Sequence, residues 1–338
     1  MMLSRKRLLL PALLALISGN STSAATLETA LDRGALRCGV NAELAGFAKA
    51  NSLGEYSGFD IDICRAVASA VFNDSEAVEM IPVTTTDRFP AMLSGTFDIL
   101  SRNTTWTLER NAQFGQFAGV NFYDGQGFMV TKSSGIRSAL ELDNQPICVG
   151  RNTTSVPNAE DFFAVSDIRY RPVFFNDEVE AAEGYKEGRC KALTADRSAL
   201  AAHRTGFPES DAHMVLPEVI SKEPLGPMVP QDDSRWENIV RWSLNCMINA
   251  EELGVTSSNV NDPATANTPA IQRLIGAVDN MGELLGLNKQ WCSRIIQQVG
   301  NYGEVYDRHL GPDTPLGLER GINELWTNGG LIYAPPVR

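Results

Sequence analysis

The chain has 338 residues, 43% of them hydrophobic, and a formal charge of −12 at pH 7. That length accommodates two domains of ordinary size. The acidity, with no basic stripe to offset it, excludes nucleic acid as a partner and describes a well-solvated surface.

In chain order, Arg5, Lys6 and Arg7 precede the apolar run "LLLPALLALIS" (8–18) and the small residues "STSAA" (21–25). The run has 11 residues, too few for a bilayer span of about 20. The order basic, apolar, small is that of a bacterial secretory signal peptide. Residues 1–25 are therefore expected to be cleaved on export, with no cysteine at the cleavage site to carry a lipid. Losing three cations takes the charge from −12 to about −15.

Six cysteines remain, Cys38, Cys64, Cys148, Cys190, Cys246 and Cys292. In an oxidising compartment an even number favours disulfides, and six allow 15 connectivities. No CxxC pair occurs and His203, His213 and His309 are far apart in sequence, so neither a zinc site nor any other cofactor is expected.

"ALRCGV" (35–40) reads as a short buried strand. In "GFDIDICRAVASAVF", Ile63, Ala66, Val67, Ala70 and Val71 recur on one face of a helix. "VEMIPV" (78–83) is the next strand, "TDRFPAMLSG" a helix stopped by glycine, and "TFDIL" (96–100) a third strand. Alternation of strand and helix implies parallel pairing with right-handed crossovers. The pattern recurs in "QPICVG" (145–150), the helical "PNAEDFFAV", "IRYRPVFF" (168–175), the helical "DEVEAAEGYKEG" and "RCKALTAD" (189–196). Two similar α/β lobes follow.

Extended segments stand at both seams, "YDGQGFMVTK" (123–132) and "SKEPLGPMVPQDD" (221–233), and the periodic helix 235–254 resumes the first lobe. The second lobe is thus read as inserted into the first, with lobe 1 at 26–128 and 229–338 and lobe 2 at 129–228. Two chain crossings make a hinge. The other arrangement is a pair of independent domains on one linker. Residues 257–270 read as a polar surface loop, and the helices after it are expected to pack on lobe 1.

In open parallel α/β sheets, ligands bind beyond the carboxyl ends of the strands. At one such end lies "SRNTTWTLER" (101–110). Thr107 suits a helix cap, helix N-termini attract anions, and Arg110 offers a planar donor pair fitted to a carboxylate. Thr105 adds a hydroxyl donor. Pairing of Arg110 with Glu109 is the other reading. The matching strand of the second lobe ends at Asp196, which can accept from an ammonium or cap the helix "RSALAAHR". Thr153 and Thr154, in "VGRNTTSV", end another strand and are site candidates or caps. A carboxylate receptor facing an ammonium receptor is what an α-amino acid requires.

The segments "GFDIDICRAVA", "RFPAMLSGTFDILSRNTTWTLER", "FYDGQGFMV", "GRCKALTAD", "LPEVISKEPLGPMV", "VGNYGEVYDRHLGP" and "GINELW" resemble the periplasmic amino-acid-binding proteins of ABC transporters, solute-binding protein family 3. The likeness is greatest to the long branch that takes general L-amino acids or glutamate, glutamine, aspartate and asparagine. It runs over nearly the whole chain after residue 25.

The resemblance implies a type II periplasmic binding protein fold, two α/β lobes closing on a ligand. It implies that Arg110 clamps the α-carboxylate beside Thr105 and Asn103, and that Asp196 takes the α-ammonium. Thr154 matches the second threonine of a Gly-Thr-Thr turn whose glycine is here Asn152, a residue that tolerates left-handed backbone. Arg88 matches a side-chain-pocket position that favours acidic or amide ligands, with a salt bridge to Asp87 or to an acid across the lobe the other reading. Leu44 and Phe47 match a loop that covers the ligand. A monomeric, non-enzymatic periplasmic protein handing L-amino acids to an inner-membrane permease is expected. The rivals are a cyclohexadienyl dehydratase-like enzyme on the same scaffold and a soluble sensor. On these lobes the cysteines group in sequence, and sequential pairing is the expectation.

Overall fold

The structure, a computed structural model, describes residues 25–338. Residues 1–24, on which the signal-peptide reading rests, lie outside that range. Twelve strands build the frame: β1 Leu36–Val40, β2 Val78–Pro82, β3 Ile99–Leu100, β4 Gln116–Phe117, β5 Phe122–Asp124, β6 Gln126–Thr131, β7 Pro146–Gly150, β8 Arg171–Phe175, β9 Ala192–Asp196, β10 His213–Val215, β11 Glu223–Leu225 and β12 Met228–Val229. Ten of them form two five-stranded sheets, in the orders β2-β1-β3-β12-β4 and β8-β7-β9-β6-β10. The second sheet comes from one continuous stretch of chain and the first from the segments on either side of it. This is a two-lobed α/β fold with the second lobe inserted.

In each sheet the three strands linked by helices are parallel, as alternation predicts. The strands entering and leaving by the seams, β6, β10, β4 and β12, are antiparallel to their neighbours. The seams themselves pair as an antiparallel ladder, β5 with β11, in the register Phe122↔Leu225, Tyr123↔Pro224 and Asp124↔Glu223. Both crossings therefore run side by side. Boundaries at 128/129 and 228/229 fall inside β6 and β12, each of which belongs wholly to one sheet.

The expected strand "TFDIL" is reduced to Ile99–Leu100, because the Asp98 carboxylate accepts the Arg37 N–H at 2.7 Å in place of a backbone carbonyl. In the expected loop 257–270 Val260 is buried, and Thr268 caps a helix beginning at Pro269.

The helix α1, Phe59–Phe72, is buried nearly all round. It packs under helices Ser234–Glu252, Trp291–Gln298 and Tyr302–His309, so the C-terminal third covers lobe 1 as expected. Gly58 (φ 140°) admits the first turn of α1 against the Phe47 carbonyl, where a Cβ would stand 2.2 Å from that oxygen. Phe59 meets Tyr302 edge-on at 5.8 Å, and full burial of such a ring stabilises by about 1.5–3 kcal/mol. Disulfides join Cys38 to Cys64, Cys148 to Cys190 and Cys246 to Cys292, the sequential pairing. None of them ties one lobe to the other.

Candidate functional site

The lobe 1 wall starts where β3 ends. Asp60, at the start of α1, accepts Asn103 N–H at 2.7 Å and the Ser101 hydroxyl at 3.2 Å, which fixes the loop. Burial pushes the Asp60 carboxyl up to about 6, against the pull of those bonds. Asn103 has φ 35°, and its buried Oδ1 has no hydrogen-bond partner among the described residues. The loop is then strapped to hinge strand β11: Thr105 bridges Leu225, and Trp106 N–H donates to Pro224 O at 2.7 Å.

Thr107 caps the short helix Leu108–Gln113 by accepting Arg110 N–H at 3.2 Å. Arg110 is buried, and its Nη1 donates to Thr105 O at 3.0 Å. Arg88, also buried, shares the Phe89 ring with it, at 4.7 Å for Arg88 and 5.3 Å for Arg110. Burial lowers both guanidinium pKa values, and for Arg88 the neighbouring cations Arg110 and Arg102 lower it further. Among the described residues neither arginine has a salt bridge, so the pairings with Glu109 and Asp87 do not form. Asp87 accepts from the Thr84 hydroxyl instead, at 2.7 Å. Unpaired buried cations are costly unless an anion joins them.

The lobe 2 wall is assembled from the ends of β7 and β9. Asn152 takes φ 58°, so the turn survives without its glycine. Thr153 Oγ1 donates to Gly150 O at 2.8 Å, and Thr154 Oγ1 to Glu223 Oε2 at 3.0 Å. Both hydroxyl protons are thus spent inside the protein. Asn152 also touches lobe 1: its Nδ2 donates to Thr86 Oγ1 at 3.1 Å, and its carbonyl accepts from Arg88 Nη2 at 3.4 Å.

Asp196 stands at the N-cap position of helix Arg197–Thr205 but accepts no capping bond. The hinge residue Asp124 takes Ser198 N–H instead, at 3.1 Å. Asp196 is buried and kept free. Burial pushes its carboxyl well above the usual range, and Asp124 and Glu223 push it further. After burial, Asp196 is the charge acting most on Arg110, yet no salt bridge joins them. Arg110 and Asp196, one on each lobe, thus act on each other electrostatically without a salt bridge.

Leu44 and Phe47 follow β1 in the loop expected to cover the ligand. Both are buried: Phe47 meets Phe122 edge-on at 5.5 Å, and the strand Glu43–Leu44 packs against helix Arg197–Thr205 of lobe 2. Between the lobes lies a cavity of about 340 Å³, lined from lobe 1 by residues 41–43, 82–85 and 102, and from lobe 2 by 177–180 and 203. Neither Leu44 nor Phe47 lines it, and Arg110 and Asp196 lie outside it, against the hinge strands. None of the predicted site residues lines this cavity; of those that do, Arg102, Glu178 and His203 carry the ionisable groups with the most buried or least satisfied side chains. Arg102 ends the same strand as the recognised motif and was findable by the strand-end rule. Glu178 and His203 carry no local signal, because only closure of the lobes brings them to the cleft.

A family model, "Bacterial extracellular solute-binding proteins, family 3", matches residues 36–294. The general L-amino acid-binding periplasmic protein AapJ of Rhizobium johnstonii is 45% identical over 325 residues, 95% of each chain. The glutamate/glutamine/aspartate/asparagine-binding protein BztA of Rhodobacter capsulatus is 45% identical over 329 residues, 97% of each chain. Among solved structures, an ABC transporter periplasmic binding protein from Brucella ovis with glutathione bound is similar with a TM-score of 0.91 at 47% identity, covering 94% of this chain and 100% of that one. With its two lobes, paired crossings and charged cleft, this chain belongs to the bacterial extracellular solute-binding proteins, family 3.

Proposed function

We propose that this protein is the periplasmic binding component of an ABC transporter. It captures L-amino acids over a broad range, favours glutamate, glutamine, aspartate and asparagine, and delivers them as a monomer to an inner-membrane permease. The observation that carries this reading is a pair of opposite, buried, unbridged charges, Arg110 on lobe 1 and Asp196 on lobe 2, flanking the hinge. Arg110 takes the α-carboxylate with Thr105 and Asn103 beside it, and Asp196 takes the α-ammonium. Thr153 and Thr154 shape the turn behind the ligand. Arg88 acts on the side chain. The relatives' stated ligands, general L-amino acids for AapJ and the four acidic and amide amino acids for BztA, support the range.

The hinge is assigned to Phe122–Asp124 and Glu223–Leu225, which places the lobe division there. Residues 1–25 are removed on export to the periplasm. Closure excludes water, which strengthens both charge pairs. No bond is made or broken, so amino acids and cyclohexadienyl substrates incubated with the protein are recovered unchanged.

A second reading concerns ligand length. The cleft holds a cavity of about 340 Å³ apart from Arg110 and Asp196, and the Brucella relative holds glutathione, so peptides with a free α-amino acid end belong in the ligand panel. The test is a thermal-shift panel of the twenty amino acids and glutathione, since ligand stabilises the folded state by mass action. Arg110→Met should weaken every ligand by roughly 10²–10⁴-fold, the loss of two charge-assisted bonds. Arg88→Met should weaken acidic ligands first. Equal losses with Arg88→Met across neutral and acidic ligands would remove Arg88 from the selective set, and an unresponsive wild type would remove the function.

A further inference from the structure

The inter-lobe cavity, which neither Arg110 nor Asp196 lines, has two walls of opposite charge that do not neutralise each other. On lobe 1, Arg102 is buried, with Nε donating to Val83 O at 2.9 Å and Nη2 to Thr85 Oγ1 at 3.1 Å. These bonds lock the guanidinium plane, and Nη1 makes no hydrogen bond among the described residues. On lobe 2, helix Glu178–Lys186 brings three acids to the cavity. Two are occupied: Asp177 caps the helix by accepting Glu180 N–H at 2.9 Å, and Glu180 accepts Asn176 N–H at 3.1 Å. Glu178 alone of the three has neither a hydrogen bond nor a salt bridge among the described residues. Burial lowers the Arg102 pKa, and of the surrounding charges Glu178 opposes this most. His203 lines the same space with a buried Nε2 that has no partner among the described residues, and burial favours its neutral form. Glu43, on the lobe 1 side, is exposed at the rim.

We infer that Arg102 and Glu178 form a second recognition subsite for the far end of the ligand, built for a carboxamide. A carboxamide carries an acceptor oxygen and two N–H donors on one planar group. Its oxygen meets Arg102 and its N–H groups meet Glu178, so both walls are satisfied without a net charge. A side-chain carboxylate satisfies Arg102 but is repelled by Glu178, and an ammonium satisfies Glu178 but is repelled by Arg102. The subsite therefore ranks glutamine above glutamate and above lysine. The inference rests on the proposed amino-acid grip at Arg110 and Asp196, with the ligand's side chain taken to extend from it into the cavity.

The experiment is isothermal titration of alanine, glutamine, glutamate and lysine into wild type, Glu178→Gln and Arg102→Met, with a melting curve for each variant. Alanine does not reach the subsite and reports the grip alone. Glu178→Gln removes the repulsion of a carboxylate, so the preference for glutamine over glutamate should fall roughly tenfold while alanine is unchanged. Arg102→Met should weaken glutamine and glutamate together and improve lysine relative to both. If Arg102→Met does not fold, Glu178→Gln, at a half-buried helix start, decides alone. An unchanged glutamine-to-glutamate ratio in Glu178→Gln, with alanine still binding, overturns the subsite and leaves the grip standing. Loss of alanine binding in wild type would instead overturn the grip.

Discussion

The two walls of the cleft solve opposite electrostatic problems. Lobe 1 buries Arg88, Arg102 and Arg110 with no carboxylate bonded to any of them, holding them by backbone carbonyls, one hydroxyl and the Phe89 ring. Lobe 2 leaves Asp196 and Glu178 without cations, while its hydroxyls at Thr153 and Thr154 are turned inward. Each lobe alone is thus electrostatically incomplete. The difference teaches that orientation is written into the cleft before any ligand arrives, because a zwitterion fits one way round. It also explains why the helix cap falls to Asp124: a capped Asp196 would have its carboxylate committed.

Acid breaks this asymmetry from one side only, since arginines do not titrate in the range where carboxylates do. Asp196 is raised by burial and by Asp124 and Glu223, and Asp124 is raised to about 6, chiefly by burial. In the ligand-free protein these groups bind more protons than in the unfolded chain, from the ordinary carboxylate range up to their raised values. Asp60 adds the same sign from beneath lobe 1. Unliganded stability should therefore fall as pH rises from about 4 toward 6. Ligand affinity should run the other way, because only ionised Asp196 attracts the ammonium. Melting curves with and without glutamine between pH 4 and 8 read both trends, and a ligand-induced shift that grows toward acid would contradict the account.

A smaller effect sharpens the place where the walls touch. Asn152, at φ 58°, meets Thr86 and the Arg88 guanidinium. Asn152→Ala should cost about 1–2 kcal/mol in folding stability from left-handed backbone, and Asn152→Gly much less. Chemical denaturation separates the two, and equal costs would assign the loss to the side-chain bond with Thr86.

Much of this was legible in the residues. The helix–glycine–strand rhythm of "MLSGTFDIL" and "YKEGRCKAL" marked both lobes, and the two Gly/Pro-rich seams marked the crossings. The antiparallel strands were not readable, because nothing local sets the direction in which a seam strand pairs. At the proposed site, the strand-end rule pointed to Arg110 and Asp196, both of which are buried without a salt bridge among the described residues. It missed Glu178 and His203, which reach the cavity only through packing across the cleft. The burial of Leu44 and Phe47 was not readable for the same reason: an apolar residue after β1 suits a cover or a core equally, and one contact of Phe47, the Phe122 ring, is 75 residues beyond it in the chain.

The most direct test of the opposed grip pairs a protein change with a ligand change. Titration calorimetry compares L-glutamine with its des-amino analogue, which lacks only the α-ammonium, in wild type and in Asp196→Asn. In wild type the analogue should bind about 10–100-fold more weakly, the worth of one charge-assisted bond. In Asp196→Asn the two ligands should bind alike, because the ammonium has lost its partner. An undiminished preference for glutamine in Asp196→Asn would show that another group holds the ammonium.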